Sequence, residues 1–285
     1  MLLKTEQEKL EWELIYTYII PIGMGIIALF ILFRLVMIFQ YFYARHFKKP
    51  IVTHFYFKLK KLTPIQLSIL KNEYPLFGKL SDKHQSYFEH RVATFIDKTQ
   101  FIGRQDLVVT EQMRVLVAAT SIMLTFGFRK YLLDLLNTVI LYPNEYYSEI
   151  NEANHKGETN PQLKAIVFSW KDFKHGYNIG DDNLNLGIHE FGHAIHLNAS
   201  MNNDVSSLVF SQGFQNLTSY LQKNPTLREN LIASKYFRAY AYTNQFEFFA
   251  VLLENFVETP KEFKSQFPHL YGYIKQMLNF KFAGY

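Results

Sequence analysis

The sequence predicts an α+β fold: a helix-rich domain with a small sheet, preceded by one transmembrane helix. Three observations lead to this prediction. A run of twenty residues without charge lies near the N-terminus, at residues 14–33. Helical patterns with recognisable first residues follow one another from residue 63 onward. Only two short runs in this part, 138–142 and 164–170, have the pattern of strands.

Composition excludes several classes of protein and site. The chain has 285 residues, of which 48% are hydrophobic and 19% charged, so it can bury a sizeable core and is not expected to be disordered. It contains no cysteine, which excludes disulfides, thiolate metal sites and cysteine nucleophiles. The net charge is only +5, and part of the positive excess lies next to the apolar run, so no direct binding to nucleic acid is expected.

Residues 14–33 are long enough to span a bilayer. Twenty residues at about 1.5 Å each give a helix of roughly 30 Å, the thickness of the hydrocarbon core. Pro21, Gly23 and Gly25 interrupt the run, which membrane helices tolerate. No small-residue cleavage site follows, so a removed signal peptide is disfavoured, and the alternative is a buried helix of a soluble core. The apolar character resumes after Arg34, which predicts a transmembrane helix and its interface over residues 14–43.

The charges on either side of this helix predict its orientation. Residues 1–13 carry four glutamates and two lysines, whereas seven lysines and arginines and no acidic side chain lie between residues 34 and 61. Because positive charge stays on the cytoplasmic side, we expect residues 1–13 to form a short extracytoplasmic tail. This predicts a single-pass protein of the cell inner membrane with a cytoplasmic catalytic domain. Its basic juxtamembrane linker, residues 44–61, is expected to lie against anionic headgroups.

Residues 62–285 are predicted to form one domain, without repeats or an internal linker. Thr63 and Pro64 have the pattern of an N-cap followed by proline at the first helical position, and Ser81 and Thr110 are further N-caps. Residues 259–262 have the pattern of a capping box with proline at the first helical position. The predicted helices cover residues 65–73, 82–98, 111–126, 185–198, 205–222, 226–239 and 244–257, with a last one from 260, and the predicted strands cover 138–142 and 164–170.

The residues with the clearest chemical pattern are 189–193, which read His-Glu-Phe-Gly-His. Two histidines four positions apart lie on one face of a helix, so the imidazoles of His189 and His193 can reach one metal ion. Neutral imidazole suits Zn²⁺. Glu190 then lies near the open coordination position, where it can take a proton from water acidified by the metal. Two unrelated histidines on a helix are the alternative.

A catalytic zinc site needs a third protein ligand. Glu247 is the preferred candidate, because a carboxylate within an apolar helix rich in phenylalanine is costly unless it is paired or bound to metal. An exposed glutamate favoured by the helix dipole is the alternative. Glu254, on the same face, is the second candidate, or else it orients a ligand histidine. We expect His196 either to contact a ligand residue without binding the metal itself or to lie at the surface. We interpret Glu258 as a solvated helix end.

Two further features bear on catalysis. Tyr240 lies seven residues before Glu247, so one helix through both would place them on one face, with the phenol able to donate to an oxyanion. A packed tyrosine is the alternative. An exposed edge of the strand predicted at residues 165–170 could pair with an extended peptide, which favours a peptide substrate, and an ordinary core strand is the alternative.

Five stretches between about residues 105 and 265 resemble the Mlc titration factor A family of zinc metallopeptidases. They read Val-Thr-Glu-Gln-Met-Arg-Val-Leu from 109, Ile-Leu-Tyr-Pro-Asn-Glu from 140, Val-Phe-Ser-Trp from 167, Asn-Leu-Gly-Ile-His-Glu-Phe-Gly-His from 185, and Glu-Phe-Phe-Ala-Val from 247. The resemblance implies a zincin-like core with zinc on His189, His193 and Glu247 and with Glu190 as catalytic base. A tyrosine seven residues before the third ligand, here Tyr240, belongs to the same pattern.

The best-known member of that family is a soluble cytosolic protein that binds a glucose-responsive repressor and acts as an aminopeptidase. This chain differs by its predicted membrane helix. The sequence therefore predicts a membrane-anchored, zinc-dependent metallopeptidase that acts on a peptide or protein substrate, with a transcriptional regulator as a further candidate partner. The alternative is a regulatory binding protein that sequesters such a regulator at the membrane.

Overall fold

A long helix precedes the body of the protein. The computed structural model, which describes residues 5–148 and 152–285, shows it as α1 (Glu6–Leu14), a π-helical turn (Ile15–Ile19) and α2 (Ile20–Phe47). The stretch Glu8–Phe47 is long and apolar enough to cross a membrane, and its most apolar window is entirely unburied. The prediction of one such N-terminal helix is confirmed. The described part of the predicted tail belongs largely to this helix, and residues 1–4 lie outside the described residues.

The body is helix-rich with a small mixed sheet, as predicted. The side chains of Thr63, Ser81 and Thr110 accept hydrogen bonds from backbone amides in the first turns of their helices, because this satisfies amide groups that have no partner within the helix. The helices of the body are α3 (Pro64–Glu73), α4 (Pro75–Gly78), α5 (Asp82–Lys98), α6 (Glu111–Thr125), α7 (Trp170–Asn178), α8 (Leu186–Met201), α9 (Val205–Lys223), α10 (Pro225–Ser234), α11 (Gln245–Glu258), α12 (Pro260–Gln266) and α13 (Pro268–Met277).

Two helix predictions are wrong in detail. The helix expected over residues 226–239 ends at Ser234, because Lys235 adopts a left-handed conformation with φ of 52°, and a separate 3₁₀ turn follows at Ala239–Tyr242. The capping box expected from residue 259 does not form. The hydroxyl of Thr259 donates instead to Asn183 Oδ1 at 2.9 Å, which ties the start of α12 to the loop before α8.

The small sheet lies against α7 and α8. Its strands follow the order β1-β2-β6-β5; the first three are parallel, and β5 is antiparallel to β6. The strands are β1 (Gln100–Gly103), β2 (Thr138–Tyr142), β5 (Gly157–Asn160) and β6 (Ala165–Ser169), and a separate antiparallel pair is formed by β3 (Tyr146–Ser148) and β4 (Ala153–His155).

The strand predicted at residues 164–170 is not an edge strand. Observed as β6, it pairs with β2 on one side and β5 on the other, and all five of its residues are buried. This explains its uninterrupted apolar sequence, which is typical of a strand covered on both faces. The edge beside α8 is formed by β5, whose polar residues gave no strand prediction.

Helix α8 occupies the centre of the body, between α11 on one side and β5 with β6 on the other. Packing with α11 is close at Gly192, where a Cβ would lie 2.9 Å from Leu253 Cδ1 and 3.7 Å from Ala250 Cα, so Leu253 would have to shift. The neighbouring Phe191 is fully buried against Phe168 of β6 and Phe95 of α5. The helix that carries the His-Glu-Phe-Gly-His pattern is therefore fixed on several sides, as a precise site requires.

Candidate metal centre

Helices α8 and α11 bring three of the candidate residues together. His189 and His193 project from one face of α8, one helical turn apart. Glu247 lies in the first turn of α11, where its backbone amide donates to Asn244 Oδ1 at 3.0 Å, so the helix cap fixes the start of the turn. Potential ligand atoms of all three residues lie within 4.8 Å of one another.

The distances within this group fit a divalent cation. His189 Nε2 lies 3.1 Å from His193 Nε2 and 3.0 Å from Glu247 Oε2, and His193 Nε2 lies 3.4 Å from the same oxygen. Zinc–ligand bonds of about 2.05 Å at tetrahedral angles place ligand atoms about 3.3 Å apart. In addition, Glu247 Oε2 is buried and accepts no hydrogen bond of normal geometry. The donor set therefore suits a metal ion better than it suits a closed hydrogen-bond network.

Behind His189 lies a buried ion pair. The His189 Nδ1 atom is 2.6 Å from Glu254 Oε1, and Glu254 is completely buried. Arg238 donates to both oxygens of Glu254, at 2.5 and 2.8 Å, and to the carbonyl of Asn183 at 2.9 Å. A carboxylate at this place accepts the Nδ1 proton and leaves Nε2 free as a ligand atom. Of the two roles considered for Glu254, its position thus fits the orienting one.

Glu190 lies on the β5 side of α8. Thr159 donates through its hydroxyl to Glu190 Oε2 at 3.3 Å and to the Glu190 carbonyl at 3.0 Å. The approach of β5 is very close, because a Cβ at Gly157 would lie 2.8 Å from Glu190 Cγ. Burial raises the pKa of Glu190 to about 7, against the opposing charge of His189. A carboxyl group with this pKa can both take up and release a proton near neutrality.

The pKa values of His189, His193 and Glu247 depend on one another. Burial works against a charge on His189, but the carboxyl groups of Glu247 and Glu254 outweigh it and raise its pKa to about 9. Burial and the neighbouring His189 lower the pKa of His193 to about 4. The pKa of Glu247 is lowered, since the histidines overcome the effect of its burial. The carboxylate and the His193 ring are therefore already in the deprotonated forms that a metal requires, whereas His189, with its raised pKa, would release the Nε2 proton on metal binding.

Tyr240 reaches this group from the 3₁₀ turn. Its ring centroid lies 6.0 Å from that of His189, and its phenol interacts with the Glu247 carboxyl. Burial and Glu247 raise the pKa of the phenol, so it stays protonated and able to donate. The expectation of one helix through Tyr240 and Glu247 is wrong, because α11 begins only at Gln245. The two residues meet through the bend at Thr243 and Asn244.

Of the residues described so far, five line one wall of a cleft of about 620 Å³: His189, Glu190, Arg238, Tyr240 and Glu254. The opposite wall comes from the chain around β4 and β5 and from α7, and it mixes acidic and basic side chains. Besides the site residues, the lining includes Glu145, Asn154, His155, Lys156, Gly157, Lys171, Asp172, His175, Leu184, Asn185 and Leu186. Lys156 pairs with Asp172 at 2.9 Å across this wall.

Two other candidates lie outside the group. The His196 ring packs against Phe214 and Phe246, at centroid distances of 4.4 and 4.7 Å, and burial lowers its pKa. The interpretation of Glu258 as a solvated helix end is wrong. Its Oε1 accepts from Asn185 Nδ2 at 3.0 Å, and burial raises its pKa to about 7.

No sequence pattern indicated Arg238 or Thr159. Arg238 lies in an irregular segment before the 3₁₀ turn, 16 residues before Glu254, and no local pattern joins the two. Thr159 lies on a strand that was not predicted, 31 residues before Glu190. A sequence signal exists only for Gly157, since a glycine within a strand often marks a close approach of another segment.

Two histidines of one helix, an adjacent glutamate and a carboxylate from a second helix are the arrangement of a metal-dependent peptidase. The chain belongs to the glucose-regulated metallo-peptidase M90 family, whose model matches residues 53–279.

Several proteins are similar to this chain over most of their length. An uncharacterized protein of Synechocystis sp. is 25% identical over 240 residues, which cover 76% of this chain and 84% of that protein. Mlc titration factor A of Serratia proteamaculans is 23% identical over 220 residues, covering 71% and 82%. The protein of the same name from Yersinia pestis is 23% identical over 217 residues, covering 70% and 79%. The family model covers most of the body and includes the three converging residues.

Proposed function

We propose that this protein is a membrane-anchored, zinc-dependent peptidase with a cytoplasmic catalytic domain. The observation that carries the proposal is the convergence of His189, His193 and Glu247 within 4.8 Å, beside the buried Glu190, in a chain of a metallopeptidase family. Zinc is the preferred ion, because two imidazoles and one carboxylate with tetrahedral spacing are a common zinc ligand set.

In the proposed mechanism, Glu247 is a metal ligand and Glu190 transfers protons. His189, His193 and Glu247 would hold a divalent cation, which would supply the Lewis acidity that makes an attacking water molecule more acidic. Glu190 accepts the proton of this water while Thr159 holds its Oε2 in place. The phenol of Tyr240 donates to the carbonyl oxygen as negative charge develops there. Glu190 then passes the proton to the leaving amine.

The edge strand supports a peptide as the substrate. Among the described strands β5 pairs with β6 alone, so it is the edge strand of the four-stranded sheet, a position at which an extended peptide can add a further strand. It lies beside Glu190, which Thr159 contacts directly. A peptide added to β5 would therefore place its backbone next to the catalytic carboxylate.

The proposed orientation in the membrane rests on charge. The seven lysines and arginines between residues 34 and 61 follow the apolar stretch, whereas four glutamates precede it. Positive charge is retained on the cytoplasmic side, which places the catalytic body in the cytoplasm and the N-terminus outside.

The experiment that tests the activity compares the wild-type chain with Glu190→Gln in detergent or nanodiscs. We expect hydrolysis of a peptide library to fall on the order of 10²- to 10⁴-fold in the variant, because it lacks the base. Zinc content and melting temperature should stay near the wild-type values, because Glu190 is not a ligand. Turnover retained in Glu190→Gln, or cleavage that survives complete removal of zinc, would overturn the proposal.

The rival function is sequestration of a transcriptional regulator at the membrane. It is favoured by one observation, the name of the Serratia and Yersinia relatives, which describes them as titrating Mlc. A pull-down of a regulator that works equally well with wild type and Glu190→Gln, together with no cleavage of any peptide by wild type, would favour this rival.

A further inference from the structure

The juxtamembrane segment, residues 48–58, exposes two aromatic side chains. Phe55 is 67% exposed and Phe57 is 97% exposed. Their rings lie edge to face, with centroids 5.1 Å apart. The segment contains no helix or strand, so the exposure does not arise from an amphipathic periodicity. The two phenyl rings in contact form a small apolar surface patch rather than a single exposed side chain, and such patches mark candidate contact sites.

The residues on either side of these phenylalanines are fixed to the body. Arg91 is fully buried and donates to the Thr53 carbonyl at 3.1 Å and to the Tyr56 hydroxyl at 2.5 Å. The His54 ring packs against Phe126, with centroids 4.6 Å apart. Polar and weakly polar side chains thus occupy the inward positions of the segment. Since Thr53, His54 and Tyr56 face the body, the side chains of Phe55 and Phe57 are directed away from it.

The same part of the body contacts the apolar helix. Arg91 Nη2 also donates to the Phe128 carbonyl at 2.9 Å, so Thr53 lies close to Phe128. The next residue, Arg129, donates through Nη1 to Gln40 Oε1 on α2 at 2.8 Å. The part of the body that holds Thr53 thus also contacts α2 near its C-terminal end, at Gln40.

The charges of the segment suit an anionic surface. Lys48, Lys49 and Lys58 form no ion pair with any residue that the structure describes, and the chain has no acidic residue between Glu13 and Glu73. By contrast, the next two lysines, Lys60 and Lys61, pair with acidic side chains of α5 at 2.6 and 2.9 Å. The lysines nearest the two phenylalanines are thus left for a negatively charged partner.

We propose that the juxtamembrane segment is a second membrane contact, in which Phe55 and Phe57 enter the interface of an anionic bilayer while Lys48, Lys49 and Lys58 contact lipid phosphates. Aromatic rings flanked by lysines are suited to this region of a bilayer. The contact rests on the proposed membrane anchoring by α2. Together with the Arg91 contacts, it would hold the catalytic body in a fixed orientation on the membrane.

The full chain in lipid vesicles provides the test, and the lack of cysteine makes each introduced cysteine a unique labelling site. Spin labels are attached to Phe55→Cys, Phe57→Cys and Leu29→Cys, and the matched control is Val108→Cys, an 80% exposed apolar position before α6. Accessibility to oxygen and to a water-soluble nickel chelate is measured in vesicles of phosphatidylcholine with and without phosphatidylglycerol.

With phosphatidylglycerol, we expect labels at 55 and 57 to be accessible to oxygen and several-fold less accessible to nickel than the label at 108. Changing Lys48, Lys49 and Lys58 together to Gln should reduce this protection. If the label at 29 is protected while those at 55 and 57 react with nickel like the control, the second contact is overturned and the anchoring stands. Labels at 55 and 57 shielded from both reagents would indicate a protein partner and also overturn it. A nickel-accessible label at 29 would overturn the anchoring itself.

Discussion

At the residue scale, the candidate site depends on close packing between strand β5 and helix α8 as well as on charge. Gly157 allows β5 to lie against α8, so that Thr159 can hold the Glu190 carboxylate. Glu190 is buried, and burial raises its pKa to about 7, which suits a group that takes up and returns a proton. The position of the Glu190 side chain thus depends on the absence of a side chain at Gly157.

Gly157→Ala is expected to displace Glu190, because the new Cβ would lie 2.8 Å from Glu190 Cγ. We expect kcat to fall roughly tenfold to a hundredfold, as for other small misplacements of a catalytic group. Steady-state kinetics together with zinc analysis checks this. The matched control is Gly180→Ala, where no atom lies within 4 Å of the new Cβ. Equal kinetics in both variants would contradict the assigned role of the close approach.

At the scale of elements, the site is the meeting point of α8, α11 and the segment before the 3₁₀ turn. Arg238 from that segment pairs with Glu254 of α11, and Glu254 contacts His189 of α8. The fully buried Glu254 carboxylate depends on this arginine for compensation of its charge. One ion pair therefore links three elements and orients the imidazole of His189, the proposed metal ligand.

Arg238→Met is expected to leave Glu254 without its partner. Unfolding free energy should fall by about 3–5 kcal/mol, as when one member of a buried pair is removed, and zinc affinity should fall about 10- to 100-fold. Denaturant unfolding and competition with a zinc chelator measure the two effects. Adding Glu254→Gln should restore part of the stability. Arg114→Met is the control, because its surface pair with Glu111 should contribute less than about 1 kcal/mol. A similar loss in both single variants would argue against the linking role.

Glu258, at the C-terminal end of α11, is expected to make the free energy of unfolding depend on pH. Burial raises the pKa of Glu258 to about 7, from an ordinary value of 4.5. The folded state therefore binds the proton more tightly, and ionisation of this group destabilises the fold progressively as pH rises from about 4.5 to 7. Glu258→Gln should leave stability unchanged at pH 4 and increase it by about 1–2 kcal/mol at pH 8, after allowance for solvent screening. Urea unfolding at both pH values checks this; an equal effect at both would refute the assignment.

For the whole molecule, one cation would join two helices that lie far apart in sequence. The group of three draws two ligands from α8 and one from α11, so binding favours the folded state over the unfolded chain. The apolar helix also contacts the body directly, because Arg129 of the body donates a hydrogen bond to Gln40 of α2. The body is thus connected to the helix by side-chain contacts as well as by the linker.

Removal of the metal by a chelator is expected to lower the melting temperature. With free zinc a hundredfold above its dissociation constant, binding stabilises a protein by about 3 kcal/mol, so a decrease of roughly 5–10 °C is expected. Calorimetry or a thermal shift assay of the full chain, with and without chelator, measures it. His193→Ala serves as the control and should show no response to chelator. Identical melting of wild type in both conditions would contradict metal binding by this group.

Local sequence patterns determined a large part of this protein. The caps at Thr63, Ser81 and Thr110, the apolar N-terminal helix and the shared helical face of His189 and His193 each depend on residues within a few turns of the same helix. The apolar context of Glu247 made it a candidate ligand, the spacing from Glu247 made Tyr240 a candidate donor, and the resemblance to a known family supported both. A pattern of this kind is readable because neighbours in sequence are also neighbours in space.

Only the tertiary structure decided which strand forms the edge of the sheet, that Arg238 and Thr159 support the site, and that Glu258 is half-buried and hydrogen-bonded to Asn185. It also decided that Tyr240 and Glu247 meet across a bend rather than along one helix. These contacts join residues on separate elements, and their side chains meet because whole helices and strands pack together. No periodicity within a single element encodes such packing, since it depends on the shape and burial of every element at once.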